Sequence, residues 1–112
     1  MKKSVNLAVL HEMTDGDLSL ERKMFKAFLY SASGCLAALE NSRAEGMDQA
    51  WRQGAHAFKG ICLNLGAERL SQLCKDAQDQ CAAPQQKKKE LLKVIQHELE
   101  SVRQYLEAYN GH

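Results

Sequence analysis

His56, Lys59 and Gly60 are the residues whose types and spacing could carry chemistry, because they fall in a stretch that the sequence predicts to be helical. Side chains three and four positions apart are neighbours on a helix surface. The three residues therefore bring an imidazole, an ammonium group and a gap without a side chain into one surface patch. A neutral imidazole has a lone pair available near pH 7. The spacing predicts a patch that could accept and hold a phosphoryl group.

The apolar pattern of the same helix indicates which way this patch faces. Five residues have the spacing of a buried stripe: Trp51, Ala55, Phe58, Cys62 and Leu65. His56 follows Ala55 by one residue and is therefore rotated by roughly 100° from the stripe. It shares a parallel row with Arg52, Lys59 and Leu63. We expect His56 at the shoulder of the core, with one ring edge toward solvent.

Gly60 is unusual in the middle of a helix, where glycine costs roughly 1 kcal/mol relative to alanine. Its position four residues after His56 offers an explanation. A missing side chain there leaves room for the active site of an incoming partner protein.

These residues resemble the histidine-containing phosphotransfer (HPt) family of multistep phosphorelays, whose hallmark is a His, then Lys-Gly at the third and fourth positions, then Gly-Ala. The chain carries this pattern as His56, Lys59, Gly60, Gly66 and Ala67, and the match continues to Leu70, Cys74 and Gln78. In the family a Gln or Glu at the last point commonly hydrogen-bonds the ring nitrogen that is not phosphorylated. The resemblance therefore implies that Gln78 orients the imidazole.

The resemblance also implies a mechanism: reversible transfer from a receiver-domain phosphoaspartate to Nε2 of His56, and onward to a second receiver. The receiver would bring Mg²⁺ and a lysine, so this chain is expected to bind no cofactor and to have no autokinase or ATPase activity. A hybrid sensor histidine kinase is the expected upstream partner. Candidate docking residues around the histidine are Gly60, Leu63 and Arg52, with Leu7, Val9 or Leu10 from a short first helix.

Two departures from the family pattern affect packing more than chemistry. Phe58 stands where leucine is most frequent, and Ile61-Cys62 stands where small residues are usual. Ile61 could narrow the choice of partner if it borders the docking surface.

Length and composition limit the number of domains and the classes of partner. The chain has 112 residues, 45% of them apolar, which predicts one globular domain over residues 1–112. Fifteen Lys and Arg against fourteen Asp and Glu give a net charge of +1, which argues against a nucleic-acid surface. The N-terminal apolar stretch is interrupted too early for a signal peptide or membrane span, so we expect a cytoplasmic protein. No surplus apolar face is evident, which favours a monomer.

The cysteines, the other histidines and the lysine run are expected to have no chemical role. Four cysteines without a C-x-x-C pair are expected to be reduced core residues: Cys35, Cys62, Cys74 and Cys81. No Cys and His set has the spacing of a zinc site, so we expect no metal. Three histidines lack a neighbouring Lys-Gly pair and are expected to have no chemical role: His11, His97 and His112. The run Lys87–Lys89 is expected to be solvated at the start of a helix.

Helical periodicity throughout the chain predicts an all-α fold, an antiparallel up-and-down four-helix bundle with a short additional N-terminal helix. The predicted helices cover residues 5–13, 18–41, 48–66, 67–82 and 85–109, with Gly111 just past the last. Asp48 is the expected N-cap of the third helix. In a hairpin that turns near Gly66, His56 lies ten residues before the turn and Gln78 twelve after it, so the two should face each other.

Two alternatives stay open at this point. The chain could be a helical interaction module that regulates a kinase or receiver by binding alone, although the intact His56 argues against this. It could also be the phosphate-accepting domain of a larger sensor kinase. The initial Met and the Gly111-His112 ending favour a free-standing protein.

Overall fold

The computed structural model describes residues 4–110, and the regular structure within this range is entirely helical, without a strand. Five helices follow one another: α1 (Leu7–Thr14), α2 (Leu18–Glu40), α3 (Asp48–Leu65), α4 (Glu68–Asp79) and α5 (Gln85–Asn110). The predicted all-α class is confirmed. Gly111 and His112 lie outside the described residues. Among helices α1 to α5, none is both long and apolar enough to cross a membrane.

Local hydrogen bonds explain where two helices differ from their predicted bounds. Helix α1 begins at Leu7 because the side chain of Asn6 caps it by accepting a hydrogen bond from the Ala8 amide. Helix α4 ends at Asp79, three residues earlier than expected. The chain before Pro84 instead forms tight turns, in which the Ala83 amide donates to the Gln80 carbonyl.

The start of helix α3 corrects two sequence-based expectations. Asp48 is not the N-cap, because Met47 occupies that position without a side-chain cap. The Asp48 carboxylate instead accepts a hydrogen bond of 2.7 Å from the ammonium group of Lys88. Lys88 is 1% exposed, so the middle of the lysine run is not solvated. Lys88 precedes the buried Leu92 by one helical turn and therefore lies on the inner face of α5.

Most of the core lies between α2, α3, α4 and α5, and Leu10 of α1 also belongs to it. Helix α3 packs against both α2 and α4, while α5 packs against α4 and α2, and α1 contacts α2 and α3. The buried stripe predicted for α3 is confirmed, since Trp51, Ala55, Phe58, Cys62 and Leu65 are all at most 2% exposed. Of the cysteines, Cys62 and Cys74 are buried while Cys35 and Cys81 are partly exposed, and all four are free thiols.

Helix α1 is held by a buried carboxylate rather than by apolar contacts alone. Glu21 on α2 is fully buried and accepts hydrogen bonds of 3.1 Å from the hydroxyls of Thr14 and Tyr109. His11 Nδ1 lies 2.6 Å from the same carboxylate, so this histidine has a structural partner. The cluster ties α1 and α5 to α2. Leu10 on α1 is fully buried, so the expectation that it forms part of an exposed docking surface is wrong.

Gly66 makes the tight connection between α3 and α4. Its φ of 85° is left-handed, and its amide donates to the carbonyls of Cys62 and Leu63. Its own carbonyl accepts a 2.7 Å hydrogen bond from the Asn6 amide, which attaches the segment before α1 to this turn. The connection between α3 and α4 therefore turns at the predicted residue.

Candidate functional site

Helix α3 presents His56 to solvent. The imidazole belongs to an exposed residue, whereas Ala55 immediately before it is fully buried. This contrast follows from the 100° turn between consecutive helical residues. The structure thus places the histidine outside the buried stripe, as its position in the sequence predicts.

The other predicted residues of α3 surround the histidine on the same face. Lys59 is half-buried, and Arg52 and Gly60 are exposed. Leu63, two turns beyond His56, is 53% exposed, which leaves an apolar side chain available for contact with a partner. The patch therefore combines two positive side chains with an apolar one.

Gly60 leaves open space beside the imidazole. A Cβ atom built at this position would have no atom within 4 Å beyond the glycine's chain neighbours and its own helix backbone. Gly60 is helical and has no positive φ, so the backbone does not require glycine here. The absent side chain is explained by neither packing nor backbone strain.

Gln78 on α4 reaches the same place from the neighbouring helix. A surface depression is lined by Arg52, Gln53, His56 and Gln78, so the structure brings the predicted orienting residue to the histidine. The Oε1 atom of Gln78 is buried and accepts no hydrogen bond within residues 4–110. An acceptor left unsatisfied in this way costs roughly 1–3 kcal/mol. A neutral imidazole has one ring N–H that could satisfy it.

Two residues near the site were not assigned a site role from the sequence. Gln53 lines the depression beside His56, and its position in the helix offers no distinguishing signal. Trp51 was assigned only to the buried stripe, yet its indole Nε1 donates a 2.8 Å hydrogen bond to the carbonyl of Ala77 on α4. A buried indole N–H needs an acceptor, but only the packing of two helices identifies which one.

Within residues 4–110, His, Cys, Asp and Glu side chains form no group of three or more that could hold a metal ion. The side chains around His56 are instead an amide pair and two cations. Such groups suit an anionic ligand such as a phosphoryl group better than a cation.

An all-α domain that exposes a histidine beside a lysine and an open glycine has the arrangement expected of proteins that carry phosphoryl groups on histidine. The Hpt domain model matches residues 23–108, which cover most of the chain and contain all the candidate site residues of α3 and α4. The chain belongs to the Hpt domain family. It is a phosphorelay intermediate in signal transduction, a phosphotransfer carrier of the kind that works with response-regulator receivers and kinases.

Among solved structures, the chain is similar to histidine-containing phosphotransfer protein B (HptB) from Pseudomonas aeruginosa PAO1. The TM-score is 0.87 with 22% sequence identity, and the match covers 99% of this chain and 97% of that one. At this identity the likeness concerns the fold. No curated protein sequence matches the chain significantly.

Proposed function

We propose that His56 is the phosphoacceptor, and that it takes a phosphoryl group from the aspartate of one receiver domain and passes it to another. The observation that carries this assignment is that the exposed His56 lines one depression with Gln78, a residue whose Oε1 is buried without a hydrogen-bond partner within residues 4–110. On the open side of the imidazole, Gly60 leaves space for the partner.

Gln78 orients the ring and Lys59 balances charge. When Nδ1 carries the ring proton and donates a hydrogen bond to Gln78 Oε1, the lone pair of Nε2 is directed away from α4. In the transfer, the Nε2–P bond forms as the P–O bond to the aspartate breaks, and the aspartate leaves as a carboxylate. The Lys59 ammonium is placed on the same helix face to stabilise the equatorial phosphoryl oxygens.

The partner supplies the rest of the chemistry. We propose that this chain binds no cofactor and neither hydrolyses ATP nor phosphorylates itself, and that Mg²⁺ is held by the receiver. The docking surface centres on Gly60, Leu63 and Arg52, with Leu7 and Val9 of α1 at its edge. These two residues of α1 are both partly exposed, unlike the buried Leu10.

The finer architecture that fits this function is an antiparallel up-and-down bundle of α2 to α5. Support comes from the closed ring of contacts in which each of these helices packs against the next and α5 packs against α2. The longest dimension of 44 Å is close to the roughly 39 Å length of a 26-residue helix, as expected if the helices share one axis. We further propose a single domain over residues 1–112 that acts as a cytoplasmic monomer.

The assignment is tested by transfer of labelled phosphate from phosphorylated receiver domains to the parent protein, to His56→Gln and to His97→Gln. His97 is the matched control, because it is also exposed but has no Lys-Gly pair after it. Label should appear on the parent and on His97→Gln, be acid-labile and alkali-stable, and be absent from His56→Gln.

Two results would contradict the proposal. Equal labelling of His56→Gln would place the acceptor elsewhere. If receivers bind the parent protein yet none transfers its phosphoryl group, the binding-only module becomes the better account.

A further inference from the structure

The reach of Gln78 to His56 depends on how α3 and α4 are aligned along their axes. Each helical residue adds about 1.5 Å of length. Useful hydrogen-bond distances span only about 0.5 Å. Gln78 and His56 line one depression, and Gln78 Oε1 has no hydrogen-bond partner within residues 4–110. A shift of one helix past the other by a single residue would therefore carry the amide oxygen out of reach of the ring. Apolar contacts in the interface between the helices restrict such a shift less sharply than a directional bond does.

A directional bond from a buried ring joins the two helices beside Gln78. The Trp51 indole donates from α3 to the Ala77 carbonyl on α4 at 2.8 Å, and within residues 4–110 no other side-chain hydrogen bond from α3 reaches the main chain of α4. Trp51 lies five residues before His56, and Ala77 immediately precedes Gln78. The bond thus fixes the position of α4 at the residue next to the orienting amide.

The Ala77 carbonyl, which accepts this bond, lies where helix α4 supplies few hydrogen-bond donors of its own. Helix α4 ends at Asp79, so the carbonyl of Ala77 lies in its last turn, where regular helical partners run out. The Gln80 amide reaches this carbonyl at 3.2 Å, and the indole supplies a shorter second bond. Trp51 therefore stabilises the end of α4 at the point where Gln78 projects.

The Trp51 ring is itself held in place. It is fully buried, and the Lys88 ammonium lies 5.4 Å from its ring centroid. The same ammonium is bonded to Asp48 at the start of α3. A cation from α5, anchored to the first residue of α3, thus restrains the indole that bonds to α4.

We propose that Trp51 is a positioning residue for phosphotransfer: its indole N–H sets the alignment of α3 and α4 and so places Gln78 against His56. The inference rests on the proposed role of Gln78 as the group that orients the imidazole. It predicts that removing one N–H group, without changing the shape of the core, alters the protonation geometry of a ring five residues away.

The test uses the fact that Trp51 is the only tryptophan in the sequence. Replacing it biosynthetically with benzothienylalanine exchanges the N–H for sulfur in a ring of nearly the same shape. Replacement with 5-fluorotryptophan keeps the N–H and is the matched control. Val102→Ala, a truncation of a fully buried residue on α5, controls for general loss of stability.

The first readout is the ¹⁵N chemical shifts of the His56 ring as a function of pH, which report its tautomer without any partner. The second is the phosphotransfer rate at saturating receiver, together with the receiver concentration that gives half of that rate. With benzothienylalanine we expect the tautomer to shift toward that of Gln78→Ala. We also expect the saturating rate to fall by about tenfold, with the half-saturating concentration unchanged. This is less than the roughly 100-fold cost of misplacing a reacting group by 1 Å, because Gln78 orients the ring without reacting.

In the controls we expect the 5-fluorotryptophan protein and Val102→Ala to retain the parent tautomer and rate. In a Gln78→Ala background, benzothienylalanine should cause no further change, because both substitutions act on the same contact. Parent-like ring shifts and transfer rates with benzothienylalanine would overturn the inference. An equally large effect in the Gln78→Ala background would also overturn it, since Trp51 would then act by another route.

The same measurements separate this inference from the proposed function. If Gln78→Ala leaves the His56 ring unchanged, the orienting role fails and the role of Trp51 fails with it, while loss of label in His56→Gln still identifies the acceptor. If the parent protein accepts no label from any receiver, the proposed function fails even where the ring shifts respond as expected.

Discussion

Substitutions of Gly60 should change the stability of the fold and the rate of phosphotransfer in opposite directions. The open space around a Cβ atom built there means that Gly60→Ala meets no steric obstacle. Alanine is favoured over glycine inside a helix by about 1 kcal/mol. Unfolding entropy of about 2.1 cal/mol/K per residue converts this gain, for 112 residues, into an increase of about 4 °C in Tm.

Gly34 provides the matched control for stability. It also lies within a helix, α2, and a Cβ atom built there likewise has no neighbour within 4 Å. Gly34→Ala should therefore raise the Tm by a similar amount. Thermal and urea unfolding, followed by circular dichroism, would measure both gains.

Phosphotransfer should respond differently, because a side chain at position 60 would lie over His56. Helical side chains lean toward the N-terminus and cover the preceding turn, and Gly60 is one turn after the histidine. Gly60→Gln keeps a good helix former but places a long side chain across the approach to the ring. We expect its transfer rate to fall by at least about tenfold, which corresponds to about 1.4 kcal/mol.

The assay compares single-turnover transfer from one phosphorylated receiver to the parent, Gly60→Ala, Gly60→Gln and Gly34→Ala. Parent-like transfer by Gly60→Gln would refute the argument that the receiver approaches over this position. A lower stability of Gly60→Ala would refute the argument that its surroundings are open.

Two further predictions concern residues outside the patch. Gly66→Ala should destabilise the fold by roughly 2 kcal/mol or more, because the residue has a φ of 85° and its new Cβ would lie 2.6 Å from the Asn6 carbonyl oxygen. Urea unfolding measures this loss of stability. An unchanged free energy of unfolding would contradict the prediction. The pKa of the Cys62 thiol is raised, first by its hydrogen bond with Cys74 and then by burial, so Cys62 should react with thiol reagents more slowly than the partly exposed Cys35. Mass spectrometry of natively labelled protein checks the order of reaction, and early labelling of Cys62 would be inconsistent with the structure.

The helices and the exposure of the histidine were predictable because both depend on local periodicity. Trp51, Ala55 and Phe58 specify which side of α3 is buried, and His56 then lies outside that side whatever the neighbouring helices do. The turn at Gly66 was predictable for a similar reason, since glycine readily adopts the left-handed conformation that ends a helix.

The side chains whose surroundings were predicted wrongly are those whose environment is set by another helix. Asp48 has the character of an N-cap, yet its carboxylate bonds to Lys88, forty residues later in the chain. Leu10 belongs to a short helix whose inner face was ambiguous from eight residues, and only packing against the rest of the fold buries it.

By itself, the sequence determined the all-α class, the helix that carries the histidine and the side of that helix that faces solvent, because these follow from spacing along one chain segment. Tertiary structure alone decided that the Gln78 oxygen is buried without a hydrogen-bond partner within residues 4–110 and that the Trp51 indole bonds to Ala77. The physical reason is that hydrogen bonds between helices depend on their relative alignment to within a fraction of an ångström. Periodicity specifies the face of a helix, but the alignment of two helices emerges only when their side chains pack together.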